Sequence, residues 1–307
     1  MSKVEIELLS DRQQNPAYVY LSSLASPVSR KTMGSALGVI ARKLGAANAF
    51  EVHWEEIRYP QLVAIQTWLA NTHSAAATRR YVSSVRGVLK CCWRMSLIDT
   101  DSYIRTIDLT PVHGNTKKGN YAGPDELAAL YATCRSGSPV RGARDEAILR
   151  LSFGLGLRVS EVMLADLADF DRNSSSLLIH GKGRKLRVVY VFGSIREALD
   201  RWLKLRGEHV GALFEVVDWY DTITHKPITT PVSIWEMYNK RCRWAGIRHL
   251  APHDARRTAC SNLLGVTDSL TVARILGHAS LSITAIYDRR NESAAREACE
   301  KAGEVQA

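Results

Sequence analysis

The chain has 307 residues, 46% hydrophobic and 23% charged, a balance that excludes a disordered polymer and supplies enough apolar surface for two packed cores. Its formal net charge of +10 points to a polyanionic partner, nucleic acid before membrane. Six cysteines without a CxxC pair, and no apolar run of signal-peptide or membrane-spanning length, lead to the expectation of a cytoplasmic protein with reduced thiols, no disulfide and no metal site.

Residues 1–10 read as a leader. Apolar residues at helical spacing then predict helices over 16–24 (Tyr18, Leu21, Leu24), 29–44 (Met33, Leu37, Ile40, Leu44), 59–69 (Leu62, Ile65, Leu69) and 75–97 (Tyr81, Val85, Leu89, Trp93). Short loops between amphipathic helices make these a small bundle, a first domain over 1–108. Its second and fourth helices carry Arg30, Lys31, Arg79, Arg80, Arg86 and Lys90. Taken alone such residues describe a solvated face; on a chain this basic they become candidates for following phosphates and entering a major groove.

Residues 109–124 are rich in Gly, Pro, Asn and Lys without apolar periodicity and read as a linker, followed by a second domain over 125–307. There Pro124-Asp125-Glu126 opens a helix, with acids placed against the macrodipole. A second helix over 143–153 is broken by Gly154-Leu155-Gly156, and Arg158 starts a third with Glu161 one turn on. Apolar runs at 177–180 and 186–192 flank Gly181-Lys182-Gly183-Arg184-Lys185 and predict a β-hairpin. Helices follow over 194–205, 234–245 and in the segments of 252–290, with an alanine-rich charged tail helix over 292–301. The fold class is mainly α with a small antiparallel β-sheet.

The chemistry gathers in 252–290, PHDARRTACSNLLGVTDSLTVARILGHASLSITAIYDRR, with Arg158 and Lys182 upstream. Breaking a phosphodiester requires neutralising its non-bridging oxygens, supplying a nucleophile and protonating the leaving oxygen. Arg158 and Arg256 suit the first task, because a guanidinium is always charged and grips two oxygens. Taken singly, either is equally a salt-bridge residue. Tyr287 is a covalent-catalysis candidate whose attack would store the bond energy, so no nucleotide cofactor is required; alone, it is equally an amphipathic core residue. Lys182, at a hairpin tip between glycines, is a general-acid candidate; read as a plain basic turn that binds phosphate, the same stretch would let Lys185 or Arg187 do as well. His253 and His278 are candidates for binding the phosphate or moving the nucleophile's proton. Those two histidines have no third ligand at zinc spacing.

In order and spacing, LRVSE, HGKGRK, HDARR, LGH and IYDRR resemble the motifs of the tyrosine recombinases, the phage integrase family that includes the Xer proteins. The resemblance is strong over the C-terminal half and weak and generic in the N-terminal part, where Ser83-Ser84-Val85-Arg86-Gly87-Val88-Leu89-Lys90 is similar to a helix of the family's core-binding domain. It implies a two-domain, C-clamp-like enzyme with Arg158, Lys182, His253, Arg256, His278 and Tyr287 around the scissile phosphate, and Glu161 supporting Arg158 from behind. It implies a 3′-phosphotyrosyl intermediate, site-specific recombination of double-stranded DNA by a tetramer, accessory DNA-bending or directionality factors, a tail helix docked on a neighbouring protomer, and no cofactor. Ala255 stands where the pattern often has Leu, a change of packing, and Asp288-Arg289-Arg290 replaces the Thr-His common after the tyrosine in Xer proteins. A type IB topoisomerase shares this chemistry, and a catalytically silent DNA-binding regulator would share the fold.

Overall fold

The computed structural model describes residues 14–112, 119–181, 183, 185–278, 280 and 284. The chain folds as two compact units, 1–117 and 118–307. The predicted leader and tail helix lie outside the described residues. Of the stretch read as a linker, Leu109 is part of the first unit's core and Ala122 part of the second's.

The first unit comprises α1 (Pro16–Ser23), α2 (Pro27–Lys43), α3 (Tyr59–Thr72), α4 (Ala75–Arg94) and α5 (Thr100–Ile107). Each start is marked locally. Asn15, Ser26, Ser74 and Asp99 accept backbone N–H groups of the first turns of α1, α2, α4 and α5, and prolines open α1 and α2. Leu37, Ile40, Leu62, Leu69, Val85 and Leu89 bury the inner faces around Trp54, whose indole N–H donates to the Ala49 carbonyl at 2.7 Å. The fourth helix ends at Arg94, short of the predicted 97, because Ser96 turns to φ 59° and stops it. Helix α5 was not foreseen: its stretch is polar, and only the Asp99 cap announces it.

The second unit holds α6 (Pro124–Arg135), α7 (Pro139–Leu155), α8 (Val159–Leu164), β1 (Phe170–Asp171), β2 (Ser176–His180), β3 (Leu186–Tyr190), α9 (Gly193–Arg206), β4 (Glu215–Val217), β5 (Ile223–Pro227), α10 (Pro231–Trp244), α11 (Pro252–Leu264) and α12 (Ser269–Leu276). Helix α7 is the centre. It packs on α6, α9 and α11, which is why Ala147, Ile148, Leu149, Leu151 and Phe153 are all buried and no single apolar stripe shows in its sequence. It begins four residues before the predicted 143, because its first amides, Val140 and Arg141, donate to the carboxylate of Asp221, a cap some eighty residues away. Gly142 lets α6 and α7 touch backbone to backbone: a Cβ there would lie 2.0 Å from the Cys134 carbonyl oxygen.

Strands β1, β2 and β3 form an antiparallel sheet in that order, with Leu177 opposite Val189 and Ile179 opposite Arg187. Leu177, Ile179 and Val189 face inward, and the two-residue period places Arg187 on that same face of β3. The β4–β5 hairpin is a second pair that sequence reading missed. Its turn is built on Asp218, which accepts the amides of Tyr220 and Thr222.

Candidate active site

The site grows from the C-terminal end of α12. The last carbonyls of a helix have no partner within it and must find donors elsewhere. Here three consecutive ones take arginines from three other elements. Arg187 Nε of β3 donates to the Ile275 carbonyl at 2.7 Å, Arg256 Nη2 of α11 to Leu276 at 2.5 Å, and Arg158 Nη2, at the start of α8, to Gly277 at 3.3 Å. His278 is the next residue. The negative end of the helix dipole favours these cations. Gly277 is left-handed, at φ 66°, and a Cβ on it would press on the Arg187 side chain.

A second hub lies at Glu161, which is 1% exposed. Arg187 grips it bidentately at 2.8 and 2.9 Å, Arg158 Nη1 donates to it at 2.6 Å, and the Arg158 amide donates at 2.8 Å, closing the first turn of α8. Burial alone would raise the Glu161 pKa, but the hydrogen bonds from Arg187 and Arg158 outweigh it and the carboxyl lies below its ordinary value. Arg256 is 5% exposed and also donates Nη1 to the Gly156 carbonyl at 2.6 Å, so one guanidinium joins the ends of α7 and α12. Burial first, then the charge of Arg158, push its pKa down to about 10, and it stays cationic at neutral pH.

His278 Nδ1 lies 2.8 Å from the Thr284 hydroxyl. Burial, followed by Arg256, Arg158 and Arg187, pulls its pKa down to about 4. His253 sits in the first turn of α11; partial burial, then Arg257 and Arg256, lower its pKa in the same direction. At pH 7 both rings are therefore neutral, and among the described residues the three guanidiniums at the end of α12 share one carboxylate, Glu161. The surplus is two positive charges.

This has a measurable consequence for stability. An unfolded chain binds a proton at an ordinary histidine near pH 6.5, whereas folded His278 does not until about pH 4. Its contribution is intact above about 6.5 and is lost as the pH falls towards 4. Urea unfolding between pH 7 and 4 should show that decline, and the His278→Asn variant should show a shallower one.

The structure thus gathers Arg158, Glu161, His253, Arg256 and His278. Lys182 and Tyr287 lie outside the described residues. Gly181, at the foot of the hairpin tip, does lie by the cluster, since a Cβ there would be 3.9 Å from Glu161 Oε1. Arg187, weighed in the sequence only as an alternative to Lys182 in the basic turn, is instead a framework residue bonded to Glu161. The signal was present in the alternation of Leu186-Arg187-Val188-Val189-Tyr190, which puts a charge on the buried face of a strand. Ala255 is fully buried in the core of this unit, in keeping with a packing role.

In the first unit Arg30, Lys31, Arg79, Arg80 and Lys90 are exposed. Arg30 and Arg79 each donate to one backbone carbonyl, of Leu24 and Val112, and Arg80 lies 5.5 Å from the Tyr81 ring centre. Arg86 differs from the rest. Half-buried, it donates Nη2 to the carbonyls of Ile107 and Leu109 and so ties the end of α5 to α4.

A sequence model of the phage integrase family matches residues 121–294. A tyrosine recombinase XerC of Corynebacterium glutamicum is 29% identical over 262 residues, which span 81% of this chain and 80% of that protein. Among solved structures, the Tn1549 transposon integrase in complex with transposon right-end DNA has a TM-score of 0.73 at 14% identity, over 96% of this chain and 100% of the other. A lambda integrase tetramer bound to a Holliday junction gives 0.69 at 14%, over 91% and 78%. These likenesses define the class by fold, a mainly helical two-domain tyrosine-recombinase architecture with small antiparallel sheets. The chain belongs to the phage integrase family, and it is a tyrosine-type site-specific recombinase.

Proposed function

We propose that this chain cleaves and rejoins double-stranded DNA by transesterification at the arginine cluster, with Tyr287 as the nucleophile. The phenolic oxygen attacks phosphorus, the bond to the 5′ oxygen breaks, and a 3′-phosphotyrosyl link preserves the ester for rejoining by a second 5′ hydroxyl. The observation that carries this reading is the convergence of Arg158, Arg187 and Arg256 on consecutive carbonyls, with Glu161 the one carboxylate paired with them among the described residues. A phosphodiester anion is the ligand that such a surplus favours, and the charge that grows in the transition state is favoured more.

Arg158 and Arg256 hold the non-bridging oxygens, and Lys182 supplies the proton to the leaving 5′ oxygen. Neutral His278 is a base awaiting a proton, and an approaching phosphate raises its pKa from about 4 towards the working range. Glu161 and Arg187 act through Arg158 by fixing its guanidinium. The helical domain, with Arg30, Lys31, Arg79, Arg80 and Lys90, grips the duplex by its phosphates, and the segment between Leu109 and Ala122 joins it to the catalytic domain that acts on the same duplex. Four protomers assemble on two sites, with DNA-bending or directionality factors as further partners, in the cytoplasm. The arginine set performs the charge neutralisation itself, so the reaction calls for no cofactor.

The decisive experiment supplies the full chain with a plasmid carrying two copies of the DNA site flanking its gene. Recombinant products are expected. Relaxation of supercoils on plasmids lacking the site would indicate a type IB topoisomerase, and binding without strand cleavage a silent regulator.

A further inference from the structure

On elements that contribute nothing to the arginine cluster, His209, Glu215 and His225 turn three ligand atoms towards one another. His209 Nε2 lies 2.8 Å from Glu215 Oε1 and 3.1 Å from His225 Nδ1, and His225 Nδ1 lies 3.3 Å from Glu215 Oε2. The two rings stand nearly perpendicular, at 87° with centres 4.4 Å apart, so neither stacks on the other. We propose that these three residues form a binding site for a zinc-class divalent cation, held by His209 Nε2, His225 Nδ1 and the Glu215 carboxylate, with water in the open position.

The spacing fits. Ligands about 2.0–2.1 Å from a tetrahedral zinc are separated from each other by roughly 3.3 Å. The atoms already stand close to those separations, so a cation would enter with small movements. A donor set of two imidazoles and one carboxylate suits zinc and leaves a position for solvent, whereas calcium and magnesium prefer all-oxygen sets.

Two further features show that the arrangement is built into the fold. His225 holds a left-handed backbone, φ 55°, inside β5, opposite a register irregularity in β4. Histidine is one of the few non-glycine residues that adopt that conformation with any frequency, and here it turns the imidazole towards Glu215. Arg206, whose side chain is fully buried, spends its guanidinium on the carbonyls of Gly207, His209, Gly211 and Ala212. That fixes the loop carrying His209 in place before any cation arrives. Arg206 Nη2 also lies 3.5 Å from Glu215 Oε1, orienting the carboxylate while tempering its charge. A cation bound there would pin the loop after α9 to the β4–β5 hairpin. Sequence spacing conceals the set, because ten residues and a turn separate Glu215 from His225.

The test uses the full chain stripped with chelator and titrated with Zn²⁺, and separately with Co²⁺ as a spectroscopic probe. One Zn²⁺ per chain is expected, with a melting temperature that rises with zinc concentration, and Co²⁺ should show the visible absorption of a four- or five-coordinate site. His209→Ala and His225→Asn should each weaken binding by more than the roughly 10–100-fold that loss of an outer partner costs, while His180→Ala leaves it unchanged. His225 is exposed and its variant should fold, so it decides the matter even if His209→Ala does not. No zinc binding by the parent chain, or binding that survives His225→Asn at full strength, overturns the proposal.

Discussion

The Tyr287→Phe variant is expected to lose covalent capture of a nicked suicide DNA substrate by about 10³-fold or more, the scale on which loss of a nucleophile is felt elsewhere, while binding the same DNA as tightly as the parent. The substitution removes one oxygen and keeps the ring, so it separates chemistry from packing. The intact protein should give an adduct that survives denaturant, because the nick lets the 5′ end leave and prevents rejoining. An adduct of undiminished yield in the Phe variant would assign the nucleophile elsewhere. Equal DNA affinity matters as much as the lost adduct, since an amphipathic core role for Tyr287 predicts a variant weakened in folding and binding together.

How far such a site is legible in a sequence depends on whether its parts act locally. Arg158, His253, Arg256 and His278 are candidates by residue chemistry joined to the motif order shared with the family, and the ends of α7 and α12 are marked by Gly156 and Gly277, both left-handed in the structure. The β2–β3 hairpin of the small sheet followed from two apolar runs around a glycine-rich turn, while the short β1 did not. What escaped was long-range. The cap on α7 comes from Asp221, the β4–β5 hairpin turns on an aspartate that reads as an ordinary polar residue, and Arg187 looks like a surface charge until the strand register turns it inward. The tie between Arg86 and the carbonyls of Ile107 and Leu109 at the end of α5 is of the same kind, because a helix absent from the prediction offers nothing to bond to. Residue type alone identified the cations; only the fold says which of them converge on the end of α12 and which, like Arg86, tie other elements together.

That division makes Glu161→Gln the most informative change to the framework. The carboxylate is buried and takes two bonds from Arg187 and two from Arg158. A glutamine keeps the volume but presents an N–H₂ group to guanidinium donors and removes the one carboxylate that pairs with these cations among the described residues. Breaking a buried pair in this way costs about 3–5 kcal/mol. Urea unfolding should show that loss, and strand cleavage should fall with it because Arg158 is no longer held. The effect of anions distinguishes charge balance from simple packing. With the carboxylate gone the surplus rises from two charges to three, so sulfate or phosphate should stabilise the variant more than it stabilises the parent, relative to chloride at equal ionic strength. Equal stabilisation of both would mean that Glu161 fills space without setting the charge that the cluster offers to a phosphate.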